Sequence, residues 1–410
     1  MKIAVIGAGP AGIMASLQAA QAGANVSLFE SKPRIALKLG ISGKGRGNIT
    51  NSCSFKDFLN HFNDKRFLKY AFKSFSNTSL IAFFENMGVK LEEERGGRVF
   101  VASGRAIDAV NALYRKLNSE KIELFLATPV DSLIIEKGVC KGLISKGKKI
   151  LADKVVLATG GISYPQTGST GDGLKFATLA GHTLQKPYPS LVALKPAELL
   201  SEELENLNLI NISASLWLNG RKDSEEQGEM LFRDGMLDGP VILKLSRKAV
   251  KPLFEGIKTE IVIDFKPALS YEKLDNRILR DIEKKKTSNL YDLARGLVPA
   301  ALVNFLLQKA GLSPKLNLSD LKADNRKKLR NILKEMRFEI TDCGGWDRAI
   351  VTSGGISLRE VTPETMESKL IENLYFAGEI LDIDADTGGY NLQAAFSTGY
   401  VAGKSASTLL

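Results

Sequence analysis

The stretch KIAVIGAGPAGIMASLQAAQAGANVSLFE, residues 2–30, reads as strand, glycine turn, helix and second strand. Ile3, Val5 and Ile6 form the short apolar run of a buried parallel strand. The run stops at Gly7-Ala8-Gly9-Pro10-Ala11-Gly12, a G-x-G-x-x-G spacing. Gly7 permits the tight turn, Gly9 lets the backbone approach a pyrophosphate, and Gly12 lets the helix pack on the strand. The pyrophosphate would sit where unpaired amides and the positive end of the helix dipole favour negative charge. Ile13, Ala15, Leu17 and Ala20 carry the helix to Gly23, and Val26, Leu28 and Phe29 make the second strand. Glu30 closes it, about twenty residues after the glycines, where a carboxylate grips ribose hydroxyls; Ser31 beside it is a further candidate contact. A lysine before an apolar run also has the outline of a secretory signal. Three glycines, a proline and the strand that follows argue against that reading.

The chain has 410 residues, enough for two or three domains, with 44% hydrophobic and 25% charged residues. No stretch approaches the ~20 uninterrupted apolar residues of a membrane helix, so a cytoplasmic protein is expected. Cys53, Cys140 and Cys343 lie far apart and read as free thiols. With only His61 and His182 present, a histidine-built metal site or a Ser-His-Asp hydrolase is disfavoured, and no metal is expected. The formal charge is +10. Its basic runs, Arg280–Lys286 and Arg326–Arg330, are mixed with acids at helical spacing, which fits a solvated helix face better than a nucleic-acid surface. His182 reads as a helix-end residue.

Working outward, Lys38 to Asn51 is rich in glycine and polar residues, poor material for helix or strand. Its open backbone suits approach to a ligand, with Ser42, Gly43, Gly45, Lys38, Lys44, Arg46, Asn48 and Asn51 as candidate contacts. Phe55–Met87 reads as two helices and Glu123–Leu151 as a meander of small strands, with Val130 at its first junction. A second buried strand at Val155–Leu157 ends in Ala158-Thr159-Gly160-Gly161, followed by a polar loop containing Tyr164, Thr170, Gly171 and Asp172. A third turn comes near the end: Gly354, then a strand stopping at Gly378-Glu379, then Gly388-Gly389-Tyr390-Asn391-Leu392-Gln393 opening the last helix. Several strand ends meeting in glycine turns are what a large cofactor lying across a parallel sheet requires. The third turn suits the pyrimidine end of a flavin.

Three motifs, Ser42-Gly-Lys-Gly-Arg46-Gly-Asn48-Ile-Thr-Asn51, Gly160-Gly-Ile-Ser-Tyr164-Pro-Gln-Thr-Gly-Ser-Thr-Gly-Asp-Gly173, and Tyr375-Phe-Ala-Gly-Glu379 with Thr387-Gly-Gly-Tyr-Asn391, resemble the signatures of the BaiN-like, or aminoacetone-oxidase-like, bacterial FAD-dependent oxidoreductases. The resemblance spans the chain. It implies an α/β fold: a Rossmann-like FAD-binding domain of the two-dinucleotide-binding-domain flavoprotein type, built from residues 1–188 and 344–410. Inserted between would be a β-barrel-like substrate domain, 189–270 with 337–343, and a helical subdomain, 271–336. It further implies that Val130 meets the adenine through its backbone. Two departures stand out. The family usually has Cys after the motif arginine, where this chain has Gly47, and Thr-His where this chain has Arg233-Asp234.

The expected activity is hydride transfer between FAD and a small organic substrate, the flavin supplying the chemistry and the protein its position and electrostatics. Tyr164, Arg348 and Tyr390 are the candidate acid or base residues. No second G-x-G-x-x-G is framed by strand and helix, so NAD(P)H enters, if at all, as a transient visitor. Two rivals remain: a NAD(P)H-fed reductase of an enone-like substrate, and an FAD-bearing RNA-binding or sensor protein. Substrate, electron partner and oligomeric state are open.

Overall fold

The computed structural model describes residues 1–284 and 288–408. Strand β1 (Lys2–Ile6) runs through the glycine turn into helix α1 (Pro10–Gln21) and back into β2 (Asn25–Phe29). Helix α2 (Lys65–Ser74), β3 (Glu123–Phe125), β4 (Lys154–Leu157), β5 (Leu374–Phe376) and α3 (Tyr390–Ala406) follow in chain order. The strands form one parallel sheet in the order β5-β4-β1-β2-β3. Val5, Leu28, Val156 and Phe376 are fully or almost fully buried, as strands covered on both faces require. The chain thus leaves the sheet after β4 and returns more than two hundred residues later to add β5 beside it.

The meander is one strand shorter than its sequence suggests. Glu123–Phe125 pairs in parallel with Ser27–Phe29 as the fifth strand of the main sheet, and Phe125 stacks on Phe29 with ring centroids 4.9 Å apart. The separate sheet comprises Val130–Glu136, Val139–Ser145 and Lys148–Leu151. Three helices, not two, fill residues 55–86: Phe55–Asn60, α2 and Asn77–Asn86. Each starts on its own capping side chain, Ser54, Asp64 and Ser76. The stretch expected to be irregular holds a short helix, Leu37–Ile41, and a strand, Asn48–Asn51, paired with Arg98–Val101.

The chain divides into two compact units, Met1–Pro189 together with Ala349 onward, and Ser190–Arg348. The second unit contains a closed six-stranded barrel whose strands run Leu194–Pro196, Met236–Asp238, Arg221–Arg233, Asn208–Leu218, Thr259–Asp264 and Met336–Cys343. Helices Tyr271–Lys284 and Ala323–Lys334 belong to it; Lys285 and Lys286 of the basic run lie outside the described residues. Several of its described cations are tied to acids: Arg326 and Arg330 to Asp275 at 3.1 and 3.9 Å, and Lys334 to Asp264 at 2.5 Å. Counted by residue, most of the chain's excess positive charge belongs to the first unit.

His182 is more than a helix-end residue. It is 3% exposed, Nδ1 lies 3.1 Å from Glu360 and Nε2 2.8 Å from Ser368, and the ring stands edge-on to Phe376. Burial lowers its pKa, against an opposing pull from Glu360. The unfolded chain therefore binds the imidazole proton more readily than the folded one. This contribution to stability is whole above the ordinary imidazole pKa of about 6.5 and is lost as pH falls below it. Urea midpoints between about pH 7.5 and about pH 5.5 should fall further for the wild type than for His182→Gln, which lacks the titration.

Candidate functional site: three turns at the ends of parallel strands

The C-terminal ends of β1, β4 and β5 carry the three glycine turns, which the parallel sheet places side by side. At the first, a Cβ on Gly12 would lie 1.9 Å from the Gly7 carbonyl oxygen, so only glycine lets α1 start this close to β1. At Gly9 nothing lies within 4 Å of the Cβ position, which leaves open space over the start of α1. That helix has no side-chain cap and no acid in its first turn. Glu30 is held in place by the Ala8 and Lys32 N–H groups, donating at 2.9 and 2.8 Å, and by the Ser31 hydroxyl at 3.2 Å. A carboxylate offers about four lone-pair sites, so capacity remains for ribose hydroxyls. The Thr128 N–H donates to the Glu30 carbonyl at 2.8 Å, which brings the segment leading into Val130 alongside.

At the second turn, a Cβ on Gly161 would lie 2.2 Å from Thr352 Oγ1, and one on Gly173 would lie 1.9 Å from Thr159 Oγ1. Ala158 is buried; Gly171 caps the helix beginning at Asp172 with its backbone alone. Asp172 accepts from Thr170 Oγ1 at 2.5 Å, the bond that most depresses its pKa. Tyr164 adopts the left-handed conformation at φ 52°, sparse for a non-glycine residue, and its carbonyl accepts from Thr167.

The third turn opens α3 at Gly389, whose φ is 96° and whose Cβ would lie 2.3 Å from the Thr50 carbonyl oxygen. Like α1, α3 starts with neither a side-chain cap nor an acid in its first turn. Several residues expected to face a ligand are used here to build the turn. With its amide turned to satisfy both ends, Asn48 accepts from the Gly389 N–H at 3.1 Å. Asn51 donates to the Gly388 carbonyl, and Asn391 holds the Ala385 backbone from both sides. Gln393 is buried, accepting from Thr50 Oγ1 and donating to the Phe75 carbonyl, while Leu392 packs on the core. Gly354 packs against the Lys186 carbonyl.

Tyr390 is 6% exposed, edge-on to Phe58 and stacked on His61 at 3.9 Å. Its hydroxyl pairs with Cys53, and burial first, then the Cys53 thiol, push its pKa up, so it keeps its proton at neutral pH. Arg46 turns to Glu94 and lies over the Phe100 ring, and Lys44 is exposed. Arg348 belongs to the barrel unit, where its guanidinium lies 2.7 Å from Asp234. The three candidate acid or base residues are therefore not brought together within one unit.

What joins the turns is a network centred on Lys38. Its ammonium donates to Ser163 Oγ at 2.6 Å and to both Glu379 oxygens, at 3.0 and 2.7 Å. Ser163 Oγ and the Thr352 N–H each donate to Glu379 at 2.8 Å, and Thr352 Oγ1 accepts from the Ile162 and Ser163 N–H groups. Ser163 and Thr352 were not singled out from sequence. Their signal was a hydroxyl beside each glycine pair, in Gly160-Gly161-Ile162-Ser163 and Thr352-Ser353-Gly354-Gly355.

The residues fit FAD. Two long helices begin uncapped at the first and third glycine turns, and Ser42 Oγ, in the first motif, and Thr159 Oγ1, just before the second, are buried without a partner. Buried hydroxyls normally find one, so these await a ligand or water. Among the described residues no His, Cys, Asp and Glu group could hold a metal ion, and no helix is long and apolar enough to cross a membrane.

The HI0933-like protein Rossmann domain model matches residues 1–405. A 3-dehydro-bile acid delta(4,6)-reductase of Clostridium scindens is 30% identical over 99% of this chain and 98% of its own length. A ribosomal RNA dihydrouridine synthase of Escherichia coli is 27% identical over 97% and 95%. The solved 3-ketosteroid delta1-dehydrogenase of Sterolibacterium denitrificans shares the fold, with a TM-score of 0.53 at 15% identity over 99% of both chains. With a family match over nearly its whole length and a relative at 30% identity, the chain belongs to the HI0933-like family and is an FAD-dependent oxidoreductase.

Proposed function

We propose that this protein reduces a carbon–carbon double bond conjugated to a carbonyl group. The observation that carries the reading is the chemistry shared by the two full-length relatives named above. A 3-dehydro compound unsaturated at positions 4 and 6 is a conjugated ketone, and converting uridine to dihydrouridine adds two hydrogens beside a ring carbonyl. Bound FAD, once reduced, would supply the hydride, and solvent the proton that completes the addition of two hydrogens.

The chain's own residues set the conditions. The uncapped start of α1 receives a pyrophosphate, and Glu30 takes the adjoining ribose, whose 2′-phosphate it would repel. Ser42 and Thr159 offer their unpartnered hydroxyls, and Val130 would line the adenine end, as the family resemblance implies. The Lys38–Glu379 pair, braced by Ser163 and Thr352, fixes the second and third turns against each other. The amides opening α3 offset negative charge that develops near Gly388 and Gly389. Tyr390 keeps its proton and serves as a packed support. The reductant is NAD(P)H acting as a transient visitor, in keeping with the single framed glycine motif.

The test is anaerobic incubation with NADPH, then NADH, and a panel of conjugated ketones and uracil-type carbonyls, with products read by mass. The reading predicts a product two hydrogens heavier from a conjugated compound and none from its isolated-alkene isomer. Oxidation of saturated ketones by the flavin, with no alkene reduction across the panel, would overturn it.

A further inference from the structure

The structure assigns a docking face for single-stranded nucleic acid to helix α2. Arg66, Lys69, Tyr70 and Lys73 stand at i, i+3, i+4 and i+7 and share one side of the helix. All four are exposed, Tyr70 to 45%. The opposite side, Phe67, Leu68, Ala71 and Phe72, is buried, and the helix packs against α3. Arg66, Lys69 and Lys73 have no acidic partner within 4.0 Å among the described residues. The nearest acid in sequence, Asp64, is occupied as the helix cap, accepting from the Arg66 and Phe67 N–H groups at 2.9 Å. Lys65 is engaged by Asn60 at 2.7 Å and stands aside.

This face differs from the basic run Arg326–Arg330 of the barrel unit, where Arg326, Lys328 and Arg330 each lie within 4.0 Å of an aspartate. Three uncompensated cations within about 10 Å, the rise of seven helical residues, form a track for a phosphate backbone. An exposed tyrosine in their midst is the stacking platform that single strands use without regard to sequence. A membrane surface fits poorly, because the helix's apolar side is already buried and only its polar side faces out. The inference concerns a partner surface and does not depend on which bond the enzyme reduces, so it is tested on the oxidised FAD-loaded protein without reductant.

The probes are fluorescein-labelled oligouridylate and oligothymidylate, with polyglutamate as a competitor. Wild-type protein should bind an oligonucleotide at about 50 mM salt and lose it as salt rises. Arg66→Gln/Lys69→Gln/Lys73→Gln should weaken binding at least about tenfold and flatten the slope of log affinity against log salt by about 2, at roughly 0.7 per phosphate contact. Tyr70→Ala should weaken it about tenfold by loss of stacking. Lys327→Gln/Lys328→Gln in the barrel unit should bind as the wild type does. An unchanged flavin band and melting temperature certify that each variant is folded. The two probes tell RNA from DNA, and binding of either supports the assignment. No binding by the wild type, undiminished binding by the triple variant, or polyglutamate competing as well as oligonucleotide with Tyr70→Ala silent would overturn it.

Discussion

Glu379→Ala is expected to destabilise the FAD-binding unit by about 2–3 kcal/mol and to strip the purified protein of most of its flavin. The carboxylate accepts from Lys38, Ser163 Oγ and the Thr352 N–H, and its removal leaves all three donors without that acceptor. Breaking a buried ion pair costs about 3–5 kcal/mol. The Lys38 and Glu379 side chains are 23% and 21% exposed, so solvent screening trims that figure. The loss is one of desolvation more than of attraction, which yields a second expectation. Lys38→Met/Glu379→Leu should recover much of the stability that Glu379→Ala loses, while still binding FAD poorly. Urea melts of the apoprotein and flavin-to-protein ratios read the two effects separately. A double variant less stable than the single one would show that the pair is net stabilising.

Gly403→Val should be the more damaging substitution, leaving little folded protein. Helices α1 and α3 cross at contact distance through Gly399 and Gly403. A Cβ on Gly403 would sit 2.2 Å from the Ala15 carbonyl oxygen and 2.7 Å from its Cα, and one on Gly399 2.3 Å from the Ala11 carbonyl oxygen. These neighbours are backbone and cannot swing aside. Overpacking costs about 1–3 kcal/mol where side chains can adjust, and should exceed that here because the helices must separate. The same helices present their uncapped starts at the first and third turns, so parting them also spoils the cofactor site. Gly403→Ala should show a smaller effect in the same direction, in soluble yield, melting temperature and flavin content alike.

Much of this architecture was legible because the parallel sheet announces itself in short apolar runs that end in glycine. Val5, Val156 and Phe376 each precede such a turn, and those turns are where the strands align. Glu123–Phe125 misled because a three-residue strand has no period to read; its pairing with β2 is fixed by contacts distant in sequence, such as Phe29 on Phe125. Local glycine density made residues 38–51 look irregular, yet Asn48–Asn51 is drawn into a strand by its partner Arg98–Val101. Asn48, Asn51, Asn391 and Gln393 look like ligand contacts in sequence because polar residues beside glycine turns do either of two tasks. Tertiary hydrogen bonds use these to hold the turn, a task local sequence does not distinguish from ligand contact. The Lys38–Ser163–Thr352–Glu379 network joins residues up to 341 apart in the chain, and no local pattern encodes such a meeting.

The most direct measurement is a stopped-flow mixing of the photochemically reduced, anaerobic holoprotein with a conjugated enone, followed in the flavin absorption band. The account predicts rapid return of the oxidised band with the conjugated compound and none with its non-conjugated isomer or saturated counterpart. A reduced flavin that every conjugated carbonyl of the panel leaves bleached, but that oxygen or a quinone restores at once, would contradict it.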